Sequence, residues 1–135
     1  MATETAVIVG AGAGLSAALA RLCAAQGMRV VLAARNTEKL AALAQETKAR
    51  VIACDAGDRK QVGALFRAVA DDIGVPQLVV FNASRRVRGP FLDLDPSEVE
   101  RAINVTAFAG FLVAQAAARL MVPAGSSSAI VPRVR

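Results

Sequence analysis

The sequence contains no histidine, no tyrosine and no tryptophan. Without histidine it has no side chain that titrates near neutrality at its ordinary pKa, no imidazole for a metal and no imidazole base for a catalytic triad. Without tyrosine, no phenol can pass a proton to a substrate. Lysine is absent after Lys60. There are two cysteines, Cys23 and Cys54, and their spacing fits no metal site, so no metal centre is expected. Each lies within an apolar segment and reads as a small buried hydrophobe, with no sign of an oxidising compartment. Long apolar runs are missing too. The longest, Ala107 to Ala114, is far short of the roughly 20 residues that span a bilayer. Met1 to Thr5 is polar and lacks the basic and apolar regions of a signal peptide. The expectation is a soluble, cytoplasmic protein without membrane contact.

What is present is aliphatic. Hydrophobic residues make up 55% of 135 residues, enough to build one core of ordinary domain size. The formal net charge of +5 suits an anionic ligand. It is too small and too dispersed to indicate nucleic acid. Its densest cluster, Arg85, Arg86 and Arg88, reads as a solvated loop.

Strand-like runs alternate with helical patterns. Ala6 to Val9, Val30 to Ala33, Val51 to Cys54 and Leu78 to Phe81 are short, continuously apolar and β-branched, as strands buried on both faces are. Leu15 to Gln26 has Leu15, Ala18, Leu19 and Leu22 at helical spacing, with Gly27 as its stop. Asn36 or Thr37 can cap a second helix that buries Leu40, Leu43 and Ala44. Asp58 caps a third, with Gln61 completing a variant capping box and Val62, Leu65, Phe66, Val69 and Ile73 facing the core. Asp95, Pro96 and Glu98 start a last helix that runs to about Val122. Its apolar residues Val99, Ile103, Phe108, Phe111, Leu112 and Met121 spread around much of its circumference, so burial on two sides is expected: a sheet on one, another subunit on the other. Single helices between strands imply an α/β fold, a Rossmann-type doubly wound parallel sheet of order 3-2-1-4.

The residues Gly10-Ala11-Gly12-Ala13-Gly14-Leu15-Ser16 join the first strand to the first helix. Glycines there allow a pyrophosphate to approach the backbone, and a helix N-terminus supplies free N–H groups with partial positive charge. A G-x-G-x-x-G spacing fits Gly10 and Gly12 but meets Leu15; a G-x-x-x-G-x-G spacing fits Gly10 and Gly14 but meets Ser16. The expectation is dinucleotide binding through Gly10, Gly12, Ala13, Gly14 and Leu15, against a purely structural turn. The second strand ends Ala33-Ala34-Arg35-Asn36. A carboxylate for a ribose 2′-hydroxyl is missing there, and Arg35 suits a 2′-phosphate, so NADP is favoured over NAD.

With these motifs in order, residues 5 to 122 resemble the short-chain dehydrogenase/reductase family. The resemblance rests on the glycine loop, Asp55 after the third strand, Asn82-Ala83-Ser84 after the fourth and Asn104 in the long helix. Ser16 and Ser84 stand where the family has glycine. The resemblance implies hydride transfer between NAD(P) and an alcohol or carbonyl. It implies cofactor contacts from Asp55, Ala56, Asn82, Ala83 and Ser84, and a catalytic role for Asn104 in holding a water relay. It also implies a Ser, a Tyr and a Lys that perform the proton chemistry, of which this chain has no Tyr and no Lys in place.

The chain is expected to be a single dinucleotide-binding domain, residues 1–135, whose tail from 124 to 135 changes character as a truncation or frame change would. Ser128 to Val131 can begin a stub of a fifth strand, which Pro132 should not continue. Truncation there would leave Leu78 to Phe81, composed as a central strand, at a sheet edge. A homodimer or larger assembly through helix 96–122 is expected. Two alternatives to an inactive cofactor-binding chain stand open: an active oxidoreductase completed by another chain, and a non-enzymatic nucleotide-binding or interaction module.

Overall fold

The computed structural model describes residues 3–125 and the backbone of Ile130–Pro132. The four apolar runs and the segment Ile130–Pro132 form one parallel sheet. Its strands are β1 (Thr5–Val9), β2 (Arg29–Ala34), β3 (Arg50–Ala53), β4 (Leu78–Phe81) and β5 (Ile130–Pro132), in the order β3-β2-β1-β4-β5. β1 is central. Its Val7 pairs with Val31 on one side and Val79 on the other. Alternate residues face opposite layers, which is why every residue of this strand is apolar or buried.

The helices lie on both faces. α1 (Leu15–Ala25) and α2 (Ala41–Thr47), the latter entered through a 3-10 turn at Glu38–Leu40, cover Ala6, Ile8, Val30, Leu32 and Val80. On the opposite face, α3 (Arg59–Asp72) and the long helix α4 (Pro96–Met121) cover Val7, Val9, Val31, Val79 and Phe81. Local chemistry sets the helix ends. Asp58 accepts the backbone N–H groups of Lys60 and Gln61, and Asp95 accepts that of Ser97. Gly27, at φ +80°, closes α1 with the paired bonds Gly27 N to Ala24 O and Met28 N to Cys23 O. Gln61 departs from the expected capping box. Its Oε1 accepts the N–H of Asp55 at 2.8 Å, and so ties the end of β3 to α3.

Several expectations are corrected. The apolar spacing of α1 does not mark its buried face: of Leu15, Ala18, Leu19 and Leu22, only Leu19 packs partly against the core. The helix buries Ser16, Ala17, Ala20 and Cys23, while Leu15 and Leu22 are 56% and 57% exposed. Small side chains let the helix sit close to the sheet, and that proximity overrides the pull of the larger leucines. α4 turns its small residues inward in the same way. Ala109, Val113, Ala117 and Met121 are buried, whereas Ile103 and Phe111 are 60% and 57% exposed. The helix is also continuous over 26 residues, long and apolar enough by length and composition to cross a membrane. Its inner side nevertheless packs on α3 and the sheet. Its middle, Asn104–Phe108, is a π-helical segment that the periodicity did not reveal.

β4 is not an edge. β5 pairs with it in parallel, Val79 opposite Ile130 and Phe81 opposite Pro132. A proline is tolerated here because an outer strand has one side without a ladder. The expected start of this strand at Ser128 and Ala129, and the tail beyond Pro132, lie outside the described residues.

Removing a side chain from the inner face should cost far more than removing one from the outward face of α1. Leu65→Ala, at a position 1% exposed, is expected to lower the unfolding free energy by about 2–5 kcal/mol. Leu22→Ala should change it by less than about 0.5 kcal/mol. Urea denaturation checks both, and equal losses would show that α1 is rotated from the orientation described.

Candidate functional site

The carboxyl ends of β1, β2, β3 and β4 converge on a cleft of about 500 Å³. Ligands bind at such ends in open parallel sheets, where the strand order reverses. Here the reversal falls between β2 and β4, on either side of β1. The backbone of the glycine loop is held on both sides. Gly10 N and Ala11 N both donate to Ala33 O, at 2.9 and 3.1 Å, and Asn82 N donates to Val9 O at 2.8 Å. Gly10 has φ +81°, and a Cβ placed there would lie 2.4 Å from the Ala83 nitrogen. Only glycine allows the two loops to meet.

At Gly12 and Gly14, by contrast, a Cβ would meet nothing within 4 Å, so the backbone of the loop is open to a ligand. Gly14 is the N-cap of α1 and carries no side chain to satisfy the first-turn N–H groups, and no acidic residue stands in that turn. An uncapped helix N-terminus beside open glycine backbone fits a phosphate.

Of the expected contact residues, Gly10, Arg35, Ala56, Asn82, Ala83 and Ser84 line the cleft. Gly12, Ala13, Gly14 and Leu15 form the loop and first turn beside it but do not line it. Asp55 is not in its wall; its Oδ1 accepts the N–H of Gly57 at 3.0 Å. Asn104 is not in the wall either. Its Nδ2 lies 3.0 Å from the position of a Cβ on Gly57, and the wall instead includes its neighbour Val105. Asn104 lines a separate apolar groove of about 620 Å³ with Phe91, Leu94, Val99, Ile103 and Phe108. That larger groove lacks the converging polar groups of the cleft.

Lys39 and Cys54 line the cleft without having been expected there, and Ser16 was noted only as a replaced glycine. Lys39 reaches the wall from the 3-10 turn at Glu38–Leu40 and adds a second cation beside Arg35. Its spacing from Arg35 was visible, but the turn that brings it round was not. Cys54 lines the wall with its thiol pushed up to about 11, by burial first and then by Asp55 and Asp58. A thiol held protonated is a poor nucleophile, so it acts as apolar wall. Ser16 lies under the loop and is 1% exposed; its Oγ accepts a hydrogen bond from Asn82 Nδ2 at 2.7 Å. Arg85, exposed as expected, pairs with Glu98, whose carboxyl is held below its ordinary range chiefly by that hydrogen bond.

The sequence model of the short chain dehydrogenase family matches residues 4–132. The chain belongs to the short-chain dehydrogenase family. It is 29% identical over 130 residues to an uncharacterized oxidoreductase of Staphylococcus aureus (strain USA300), covering 94% of this chain and 56% of that protein. A short-chain type dehydrogenase/reductase from Mycobacterium marinum has the same fold at TM-score 0.90 and 30% identity, covering 96% of this chain and 54% of that one. A metagenomic short-chain oxidoreductase in complex with NADP matches at TM-score 0.89 and 32% identity, over 96% of this chain and 61% of that one. The chain thus spans about half the length of the relatives it matches. The cleft, with two cations in its wall and the open glycine backbone and uncapped helix beside it, fits the dinucleotide that the family binds.

Gly10→Ala should damage the fold and the cleft together, because both the positive φ and the Ala83 backbone oppose a methyl group. A loss of more than about 1 kcal/mol is expected, with a lower melting temperature. Gly12→Ala, facing open space, should leave the melting temperature within a degree or two and weaken nucleotide binding instead. Thermal melts with and without nucleotide check the pair.

Proposed function

We propose that this chain is the NADP(H)-binding, Rossmann-type portion of a short-chain oxidoreductase. The observation that carries the choice of cofactor is the end of β2. Arg35 and Lys39 line the cleft there, no carboxylate lines it, and Arg35 makes no ion pair among the described residues. A guanidinium in this position donates to a 2′-phosphate through two N–H groups, whereas a 2′-hydroxyl would call for a carboxylate. The relative crystallised with NADP supports the same choice. Gly10, Gly12, Ala13, Gly14 and Leu15 would receive the pyrophosphate, Asp55 and Ala56 the adenine end, and Asn82, Ala83 and Ser84 the opposite wall.

The cofactor supplies hydride chemistry; these 135 residues supply its binding. Proton transfer to the substrate is where they fall short, having no Tyr, no His and no Lys beyond Lys60. Asn104 is the one member of the family's catalytic set that this chain carries, and holding a water is its role in this reading. A second reading, an active enzyme completed by further polypeptide, is favoured by the greater length of the relatives. The outward apolar face of α4, with Ile103 and Phe111 exposed, is the surface through which the chain would form a homodimer or larger assembly.

Titration with NADPH and NADH, followed by nicotinamide fluorescence, tests the cofactor assignment. Arg35→Asp is expected to weaken NADPH binding about tenfold or more and to change NADH much less, as loss of a charge-assisted phosphate contact of roughly 1.5–3 kcal/mol requires. Equal effects on both would make Arg35 a surface residue.

The chain alone is expected to oxidise NADPH against a panel of carbonyl compounds no faster than buffer, because general acid–base catalysis worth about 10²–10⁴-fold is missing. Turnover that disappears in Asn104→Ala would overturn this.

A further inference from the structure

The hydroxyl of Ser16 joins two parts of the cleft that the chain separates by 66 positions. It lies in the first turn of α1, directly beyond the glycine loop, and is 1% exposed. Asn82 Nδ2 donates to its Oγ at 2.7 Å, and its own proton points to the Gly10 carbonyl at a long 3.5 Å. Asn82 begins the segment Asn82-Ala83-Ser84 that forms one wall of the cleft. Its Oδ1 is buried and has no partner among the described residues. The whole carboxamide is therefore oriented by one strong bond, the one to Ser16. A glycine at this position, as the G-x-x-x-G-x-G spacing would have it, could not make that bond.

We infer that Ser16 is a positioning residue, which sets the Asn82–Ser84 wall against the glycine loop before a cofactor arrives. This rests on the reading of the cleft as a dinucleotide site. Without the hydroxyl, the buried carboxamide of Asn82 loses its one side-chain partner and must turn or recruit water, as burying an unsatisfied amide is costly. The Gly10–Ala83 contact still holds the two loops together at their base, so the effect falls on the wall and not on the fold. A ligand that spans the cleft from the glycine loop to the wall depends on this preset geometry; one confined to the end of β2 does not.

The test compares NADPH with adenosine 2′,5′-bisphosphate, a fragment that carries the adenine and 2′-phosphate but no nicotinamide half. Ser16→Gly and Ser16→Ala are each expected to weaken NADPH about tenfold, the scale of one buried hydrogen bond, and to change the fragment less than about twofold. Asn82→Ala should cost much less in the Ser16→Gly background than in the parent chain, since the two residues act as a unit. Equal losses for NADPH and the fragment, or unchanged NADPH affinity in both Ser16 variants, would overturn the role of Ser16. So would additive costs for Ser16→Gly and Asn82→Ala. Failure of the parent chain to bind either ligand would overturn the reading of the cleft itself.

Discussion

The close approach of the ends of β1 and β4 governs the rest of this molecule. Gly10 rests on the Ala83 backbone with no space for a Cβ between them. On its other side the same turn gives two N–H groups to the Ala33 carbonyl of β2. Held between its two neighbouring strands, the chain leaves β1 at a fixed angle and starts α1 over the edge of the sheet. The uncapped N-terminus of α1, the open backbone of Gly12 and Gly14 and the burial of Ser16 all follow from that exit. A site for an anion is then a consequence of how a central parallel strand ends.

A second regularity is the use of small residues at the inner helix surfaces. α1 meets the sheet through Ser16, Ala17, Ala20 and Cys23, and α4 through Ala109, Val113 and Ala117. Gly110 lies against the ring of Phe81, where a Cβ would be 3.2 Å from Cε1. Such contacts bring helix backbone close to the sheet and leave larger side chains elsewhere. On α4 they collect on the outer face, where Phe108 and Phe111 stack at 6.4 Å and Arg59 lies 5.4 Å from the Phe108 ring centroid. An outer face of this kind suits association more than isolation in water.

The chemistry of the cleft is that of binding. Its cations are Arg35 and Lys39, its thiol is kept protonated by burial, and its remaining wall is backbone, amide and methyl. Groups of this type fix a charged ligand in place and hold its orientation.

The order of elements was legible in the sequence because it depends on local signals. Four apolar runs, the caps at Asp58 and Asp95 and the stop at Gly27 each act within a few residues, and the strand order followed from the alternation. The places of the glycine loop between β1 and α1 and of Arg35 at the end of β2 were legible for the same reason. What tertiary structure decided was anything set by distance across the sheet. Leucine spacing on α1 indicated a helix but not its buried face, since periodicity measures greasiness and not how near a helix must approach its sheet. The π segment at Asn104–Phe108 left no trace in the pattern, and Lys39 entered the cleft only through a 3-10 turn. The bond from Ser16 to Asn82 joins residues 66 positions apart. The sequence showed a serine in place of a glycine; only the folded chain shows what that serine holds, because a hydrogen bond needs both partners in place and one of them belongs to another strand.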